Sequence, residues 1–97
     1  MTTYVTLYNF TEQGLRNIKD TVKRVEAAEQ AASEIGIKVK ETLWTQGQYD
    51  LIVISETSDE TAAGGFLFNL LKAGNVRAQT LRAFTAAEMK KMLERVA

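Results

Sequence analysis

The sequence predicts a single α+β domain over residues 1–97, with a four-stranded antiparallel sheet and helices. Segments rich in β-branched and aromatic residues alternate with segments whose apolar residues recur every three or four positions. Their order is βαββαβ followed by one more helix, which is the ferredoxin-like order. The third strand is apolar on both faces, and this predicts that both faces of the sheet are covered.

The first strand is predicted at Tyr4–Phe10 and is followed by a long helical segment. Apolar residues recur at helical spacing from Leu15 to Ile35. The pattern fits one helix or, with a break near Asp20-Thr21, a short helix and then a longer one. Gly36 fits the glycine that ends such a helix. The charged residues of this segment are predicted to form a solvated face: Lys23, Arg24, Glu26, Glu29 and Glu34.

The second and third strands, Lys38–Trp44 and Tyr49–Ser55, are predicted to form a hairpin. Gly47 lies in the connection, where a positive φ angle is expected of it. Simple alternation along the second strand places one set of residues on one face, namely Val39, Glu41 and Leu43, and the others on the opposite face.

The last three elements are predicted from capping signals and periodicity. A capping box at Thr57–Glu60 opens a helix that ends at Gly74-Asn75, and the fourth strand is Arg77–Phe84. A second capping box at Thr85–Glu88 opens the last helix. Its apolar residues are expected to face inward, namely Met89, Met92, Leu93 and Val96.

A second subunit is predicted from the two faces of the sheet. Val5 and Leu7 are expected to face the helices, and an aromatic set is expected to point the other way: Tyr4, Tyr8, Phe10, Trp44 and Phe84. An uncovered aromatic patch of that size is a liability for a monomer. Two sheets packed face to face across a two-fold axis would cover it. The alternative is that the last helix folds over the free face of its own chain.

Composition excludes several kinds of site. The chain has no histidine, and no cysteine either, so the usual zinc sites, thiolate nucleophiles and Ser-His-Asp chemistry are excluded, and we predict no metal and no cofactor. Twelve basic and twelve acidic residues balance, which predicts neither a nucleic-acid nor a membrane partner. No signal-peptide pattern or long apolar run is present in the sequence, and this predicts a cytoplasmic location.

Six residues are candidates for ligand contact. Tyr49 and Asp50 follow the turn glycine, and the alternative is that they serve the turn itself. Asn17 and Lys19 lie on a connection near the possible helix break, where Lys19 could anchor an anion. The alternative there is that Asp20 or Thr21 caps the longer helix. Aromatic walls are expected from two further residues, Tyr8 and Trp44, although buried aromatics also serve cores and interfaces.

Ordered blocks of the sequence resemble the GYD-domain family. They are Thr11–Asp20, Lys23-Arg24, Trp44-Thr45 with Gly47-x-Tyr49-Asp50, Gly74–Arg77 and Thr80–Thr85. The resemblance covers nearly the whole chain. It implies a dimeric α/β barrel, in agreement with the two-faced third strand.

Three functions fit these features. The leading hypothesis is a homodimer, or a higher homo-oligomer, that binds a small polar or anionic organic ligand between sheet and helices. A second is a cofactor-independent monooxygenase or isomerase on the same scaffold, with Asp50 as its base if burial raised its pKa. A third is an interaction module without a pocket. The sequence does not decide whether the protein is an enzyme.

Overall fold

The computed structural model describes residues 1–97. The strands are β1 (Thr2–Phe10), β2 (Lys38–Trp44), β3 (Leu51–Thr57) and β4 (Val76–Ala83). The helices are α1 (Glu12–Arg16), α2 (Thr21–Glu34), α3 (Glu60–Lys72) and α4 (Ala86–Leu93), and a 3₁₀ turn (Ile18–Asp20) joins α1 to α2. None of the helices combines the length and the apolar character needed to cross a membrane.

The strands form one antiparallel sheet in the order β2-β3-β1-β4. This is the ferredoxin-like arrangement, and the predicted α+β fold class is confirmed. Helix α2 contacts β2 and helix α3 contacts β4, which are the two edge strands. The helices therefore stand over opposite edges of one face, and the central strands β1 and β3 form the floor between them.

The break in the first helical segment is confirmed. Thr11 caps α1, because its Oγ1 accepts a hydrogen bond from the backbone N–H of Gly14. Asn17 ends α1, and its carbonyl accepts a bond of 3.0 Å from the N–H of Asp20. Asp20 stands at the N-cap position of α2, but its side chain makes no capping bond. The start of α2 is thus set by the 3₁₀ turn rather than by a side-chain cap.

One of the two predicted capping boxes is wrong. Asp59 caps α3, with its Oδ1 accepting from the N–H of Ala62 at 3.0 Å. Thr57 is the last residue of β3 and pairs with Thr2, so it belongs to the sheet. The box at Thr85–Glu88 is confirmed, with both reciprocal bonds present.

The side chains of β1 face opposite to the prediction. Tyr4, Tyr8 and Phe10 line the space under the helices, so Val5 and Leu7 at the alternate positions face away from them. On β2, Trp44 also faces the helices, since its Nε1 donates to Thr21 Oγ1 at 3.1 Å. The covered face is therefore the aromatic one.

The face without helices, called the free face below, is aliphatic. Cross-strand pairing brings together Val5 with Ile54 and Leu7 with Ile52, and two flanking residues join them, Leu43 and Leu81. A β-bulge between Val39 and Glu41 breaks the alternation of β2. It places Val39 on the helix side, whereas Glu41 and Leu43 stay on the free face, which corrects the grouping predicted for this strand.

Helix α4 carries its apolar residues in solvent. Met89, Met92, Leu93 and Val96 are 48%, 40%, 54% and 69% exposed, so their predicted inward position is wrong for the single chain. The alternative, that α4 covers the free face, is wrong as well, because Leu43 and Leu81 remain 52% and 43% exposed. An amphipathic pattern indicates that a stripe is to be covered, but it does not indicate by which chain.

Candidate functional site

The largest candidate site, called the central cavity below, lies between α2, α3 and the sheet. Its volume is about 380 Å³, which is within the range of small-molecule sites. Twelve of its seventeen lining residues are hydrophobic, so the wall is mostly apolar. The floor includes Tyr8 and Leu51 from the central strands, and Phe66 and Leu70 reach it from α3.

The central cavity follows from the helix positions and from small side chains. Because α2 and α3 stand over opposite sheet edges, the groove between them is filled only by side chains. Helix α2 offers Ala27 and Ala28 to this groove, and alanine is too short to reach the opposite helix. The space therefore stays open where larger residues would have closed it.

Arg24 is the cation on the wall of the central cavity. Its Nη1 donates to the backbone carbonyl of Asn17 at 2.9 Å. Its Nη2 is shielded from solvent and has no hydrogen-bond partner. The three ion pairs of the chain involve other cations, namely Arg16, Lys40 and Arg82. Arg24 therefore presents unsatisfied donors inside the fold, a feature that requires an explanation in any native structure.

Glu29 is the one carboxylate among the lining residues, and it already has a partner. Its Oε1 accepts a hydrogen bond of 3.0 Å from the hydroxyl of Thr42 on β2. This bond joins α2 to the sheet on one side of the cavity. Arg24 thus has a nitrogen without a hydrogen-bond partner, whereas Glu29 already accepts a hydrogen bond.

Tyr8 is buried in the cavity floor. Burial raises the pKa of its phenol above the usual 10.0, and a hydrogen bond with the Thr6 side chain lowers it by a smaller amount. Because the net shift of the pKa is upward, Tyr8 holds its proton more firmly than an exposed tyrosine and is neutral at pH 7. It can offer a hydroxyl or a ring face to a ligand.

A smaller cavity of about 190 Å³ lies farther along the same face of the sheet. Four residues line both cavities and separate them, namely Tyr8, Val39, Val53 and Phe66. Gly64 of α3 lies on the wall of the smaller one, and a Cβ built there would meet no atom within 4 Å. The missing side chain of Gly64 therefore leaves more space in the smaller cavity, and no neighbouring atom would clash with a Cβ there.

The polar residues around the end of β1, called the β1 junction below, bond to one another. Asp50 Oδ2 accepts from the N–H of Phe10 at 2.9 Å, and the N–H of Asp50 donates to the carbonyl of Tyr8. The Asp50 carboxylate thus extends the β1–β3 ladder by one bond. Asn9 closes the same hairpin by donating from Nδ2 to the carbonyl of Gln48 at 2.8 Å. Gly47 has φ +145°, which confirms its predicted positive φ.

The other half of the β1 junction joins α1 to the turn after α3. The Thr11 hydroxyl donates to the Gly74 carbonyl at 2.5 Å, and the Thr11 N–H donates to the Asn75 carbonyl at 3.0 Å. Gly14 packs directly on that same carbonyl, leaving no space for a Cβ. Gln13 adds bonds to Ala73 and Asn75. These polar groups are used within the chain.

The structure brings one of the six predicted site residues to the central cavity, which is Tyr8. Asn17 contributes its backbone, while its side chain bonds the Gln13 carbonyl at 3.1 Å. Lys19 is exposed on the 3₁₀ turn. Trp44 lies outside the cavity over α2, and Tyr49 extends toward the free face, where its hydroxyl donates to Gln79 at 2.9 Å. Asp50 serves the β1 junction.

The sequence does not predict Arg24 and Glu29 as cavity residues, because their charge predicts a solvated face. Both are half-buried on the cavity wall, so that prediction is wrong for these two. A signal was present for Arg24. It follows Thr21 by three residues and precedes Ala28 by four, which is the spacing of the inward face of α2.

Comparison with known proteins identifies a family. Residues 4–93 match the sequence model of the GYD domain, which is nearly the whole chain. No curated protein and no solved structure matches it. Within the chain, no group of three or more histidine, cysteine, aspartate or glutamate side chains is placed to hold a metal ion.

Proposed function

The chain belongs to the GYD-domain family, and we propose that it binds a small organic ligand in the central cavity. The observation that supports this most directly is the cavity itself, with its apolar wall and few polar groups. Small-molecule sites have this composition, because apolar surface supplies affinity and isolated polar groups fix orientation. The ligand class is an apolar body with a polar or anionic end.

Binding explains the geometry better than catalysis does. Asp50, the candidate base, is bonded to the Phe10 N–H and does not line the cavity. Tyr8 is neutral at pH 7, as a phenol with the usual pKa of 10.0 would be, and burial raises its pKa further. Glu29 is engaged by Thr42. The interaction module without a pocket would require side chains to fill the space between the helices, and they leave it open.

The test uses Trp44 as a reporter, since it is the only tryptophan of the chain. Its indole N–H donates to Thr21, which lines the central cavity, so a ligand there shifts a single resolved NMR signal. Octan-1-ol and octanoate serve as probes. We expect saturable shifts with at least one of them, and Ala28→Phe should weaken that binding by about tenfold or more by filling the cavity.

Ala31→Phe is the matched control, because Ala31 is exposed on the same helix and lies outside the cavity wall. It should leave probe binding unchanged. Equal loss in both variants, or no saturable shift with either probe in the wild type, would contradict the proposed function.

We further propose that the working unit is a homodimer formed through the free face. Val5, Leu7, Ile52 and Ile54 lie at its centre, and no helix of the chain covers them. An exposed aliphatic sheet face can pack against a second copy of itself across a two-fold axis. The exposed apolar stripe of α4 supports the same conclusion, because a second copy would provide a surface for it.

Leu81→Glu tests this dimer, since Leu81 is an exposed aliphatic residue of the free face. The wild type should have twice the chain mass by native mass spectrometry, and the variant should be monomeric because a carboxylate would be buried at the interface. Leu15→Glu is the control, because Leu15 is a comparably exposed leucine on α1. A monomeric wild type would refute the dimer, while ligand binding would remain to be judged by its own test.

A further inference from the structure

The structure assigns a specific chemistry to the polar end of the ligand. We propose that Arg24 is the anchor for a single carboxylate and that the central cavity holds an apolar monocarboxylate. This inference rests on the proposed function and deepens it, by naming the charge of the ligand and the residue that recognises it.

The guanidinium of Arg24 is held at one end and free at the other. Nη1 donates to the carbonyl of Asn17, which also accepts from the N–H of Asp20. That carbonyl lies at the break between α1 and α2, so it is fixed by the backbone of the 3₁₀ turn. Nη2 has no partner in the chain. One nitrogen is therefore positioned by the fold, and the other retains its donors for a guest.

A charged guest suits these donors better than a neutral one. Arginine stays protonated in proteins, and its planar fork fits carboxylate geometry. A shielded charge without a partner is costly, and a carboxylate offsets that cost by charge-assisted hydrogen bonds. Water would satisfy the donors but would leave the charge unpaired. If the site is built for a carboxylate rather than for water, it should therefore bind an anionic ligand more tightly than a neutral alcohol of the same length.

The rest of the wall limits the guest to one negative charge. Glu29 is the other charged lining residue, and its carboxylate would repel a second acidic group. Beyond these two residues the wall is built mainly from apolar side chains, such as Val25, Leu51 and Phe66. A monocarboxylate with a hydrocarbon or aromatic body places its charge at Arg24 and its body against this wall.

Three probes with the same chain length test the charge, namely octanoate, octan-1-ol and octylammonium. Binding to the wild type is followed by the Trp44 indole N–H signal below the concentrations at which the probes aggregate. We expect octanoate to bind about tenfold or more tightly than octan-1-ol, since hydrogen bonds to charged groups have effects of that size. Octylammonium should bind more weakly than both.

Arg24→Gln should lower the affinity for octanoate to about that for octan-1-ol, because the charged fork is lost while the apolar part of the wall is kept. Lys23→Gln is the matched control, since Lys23 is the neighbouring cation, exposed and outside the cavity wall. It should retain the full preference. Arg24→Lys gives a second variant if the glutamine form folds poorly, and it should weaken octanoate by losing the fixed fork.

The outcomes separate the two proposals. If octan-1-ol binds in a way that Ala28→Phe blocks, and octanoate binds no better, the carboxylate anchor is overturned while the proposed function stands. Equal effects of Lys23→Gln and Arg24→Gln would also overturn it, because the preference would then reflect general charge. If no probe binds in a way that Ala28→Phe blocks, both proposals fail.

Discussion

The β1 junction and the wall of the central cavity are both polar in part, but they differ in how their polar groups are used. At the junction, Asp50 and Thr11 bond to backbone groups of neighbouring segments. On the cavity wall, Arg24 retains a nitrogen without a partner. The first arrangement stabilises the fold, and the second leaves capacity for a ligand. Unsatisfied donors, rather than polar residues as such, therefore indicate the candidate site.

The largest effect is expected at the junction, from Gly14→Ala. The new Cβ would overlap the Asn75 carbonyl, and backbone cannot move aside as a flexible side chain can. We expect the free energy of unfolding to fall by about 3 kcal/mol, measured by urea denaturation at one fixed protein concentration. Gly64→Ala is the control, because its Cβ has free space in a helix. It should raise stability by about 0.5–1 kcal/mol, and equal losses in both variants would contradict this account of Gly14.

Asp50→Ala should have the next largest effect. It leaves the Phe10 N–H without its acceptor, so we expect a loss of about 2 kcal/mol in urea denaturation. The affinity for octanoate should not change, because Asp50 lies outside the central cavity. Asp20→Ala is the control for stability, since Asp20 is exposed and makes no side-chain cap bond. If Asp50→Ala lowered ligand affinity but not stability, the division between junction and cavity would be wrong.

Arg24→Met should not lower the free energy of unfolding in the absence of ligand, in contrast to the two substitutions at the junction. It removes a shielded charge whose Nη2 has no partner, at the loss of one bond to Asn17. We expect the free energy of unfolding to be unchanged or to rise by up to about 1 kcal/mol, while the preference for octanoate over octan-1-ol is lost. A stability loss larger than that of Asp50→Ala would show that Arg24 belongs with the structural residues instead.

The smallest effect is expected from the exposed capping box of α4. The Thr85 backbone bond lowers the pKa of Glu88 below its usual 4.5, and Arg82 adds to the shift. A lowered folded-state pKa gives stability that is present above the unfolded value and lost as pH falls through the folded value. The helical signal of α4 by NMR should therefore weaken below about pH 4.

Glu88→Gln should abolish that acid-dependent weakening, and Glu94→Gln should preserve it, since Glu94 lies at the opposite end of α4. An unchanged pH profile in Glu88→Gln would remove Glu88 as the cause. This contact is polar and satisfied, like those of the junction, but it is open to solvent, so its contribution is screened.

The sequence was sufficient for the order of the elements and for several of their ends. The bounds of β2 were predicted from alternation after Gly36, and the break before α2 from the polar residues near Asp20. The face that each β1 side chain occupies was not predicted correctly, because alternation divides a strand into two sets of residues without indicating which set packs against the helices. Tyr8 and Leu7 were both plausible core residues. The bulge at Val39 then changed the sets themselves.

The candidate site was harder to predict for a different reason. The partner of Asp50 is a backbone N–H on another strand, and such a bond depends on register that is known only after folding. Arg24 has the spacing of a buried residue and the composition of a surface one. Because arginine is usually exposed, its residue type predicts a surface position, and only the three-dimensional packing shows that Nη2 of Arg24 is shielded from solvent.

The break between α1 and α2 has a consequence for the proposed anchor. In a continuous helix the Asn17 carbonyl would accept from the fourth residue after it, whereas here it accepts from Asp20 and from Arg24. The direction of the arginine is thus inherited from the shape of an exposed segment, Ile18–Asp20. If Arg24 anchors a ligand as proposed, substitutions there would redirect its guanidinium while every residue lining the cavity stays the same.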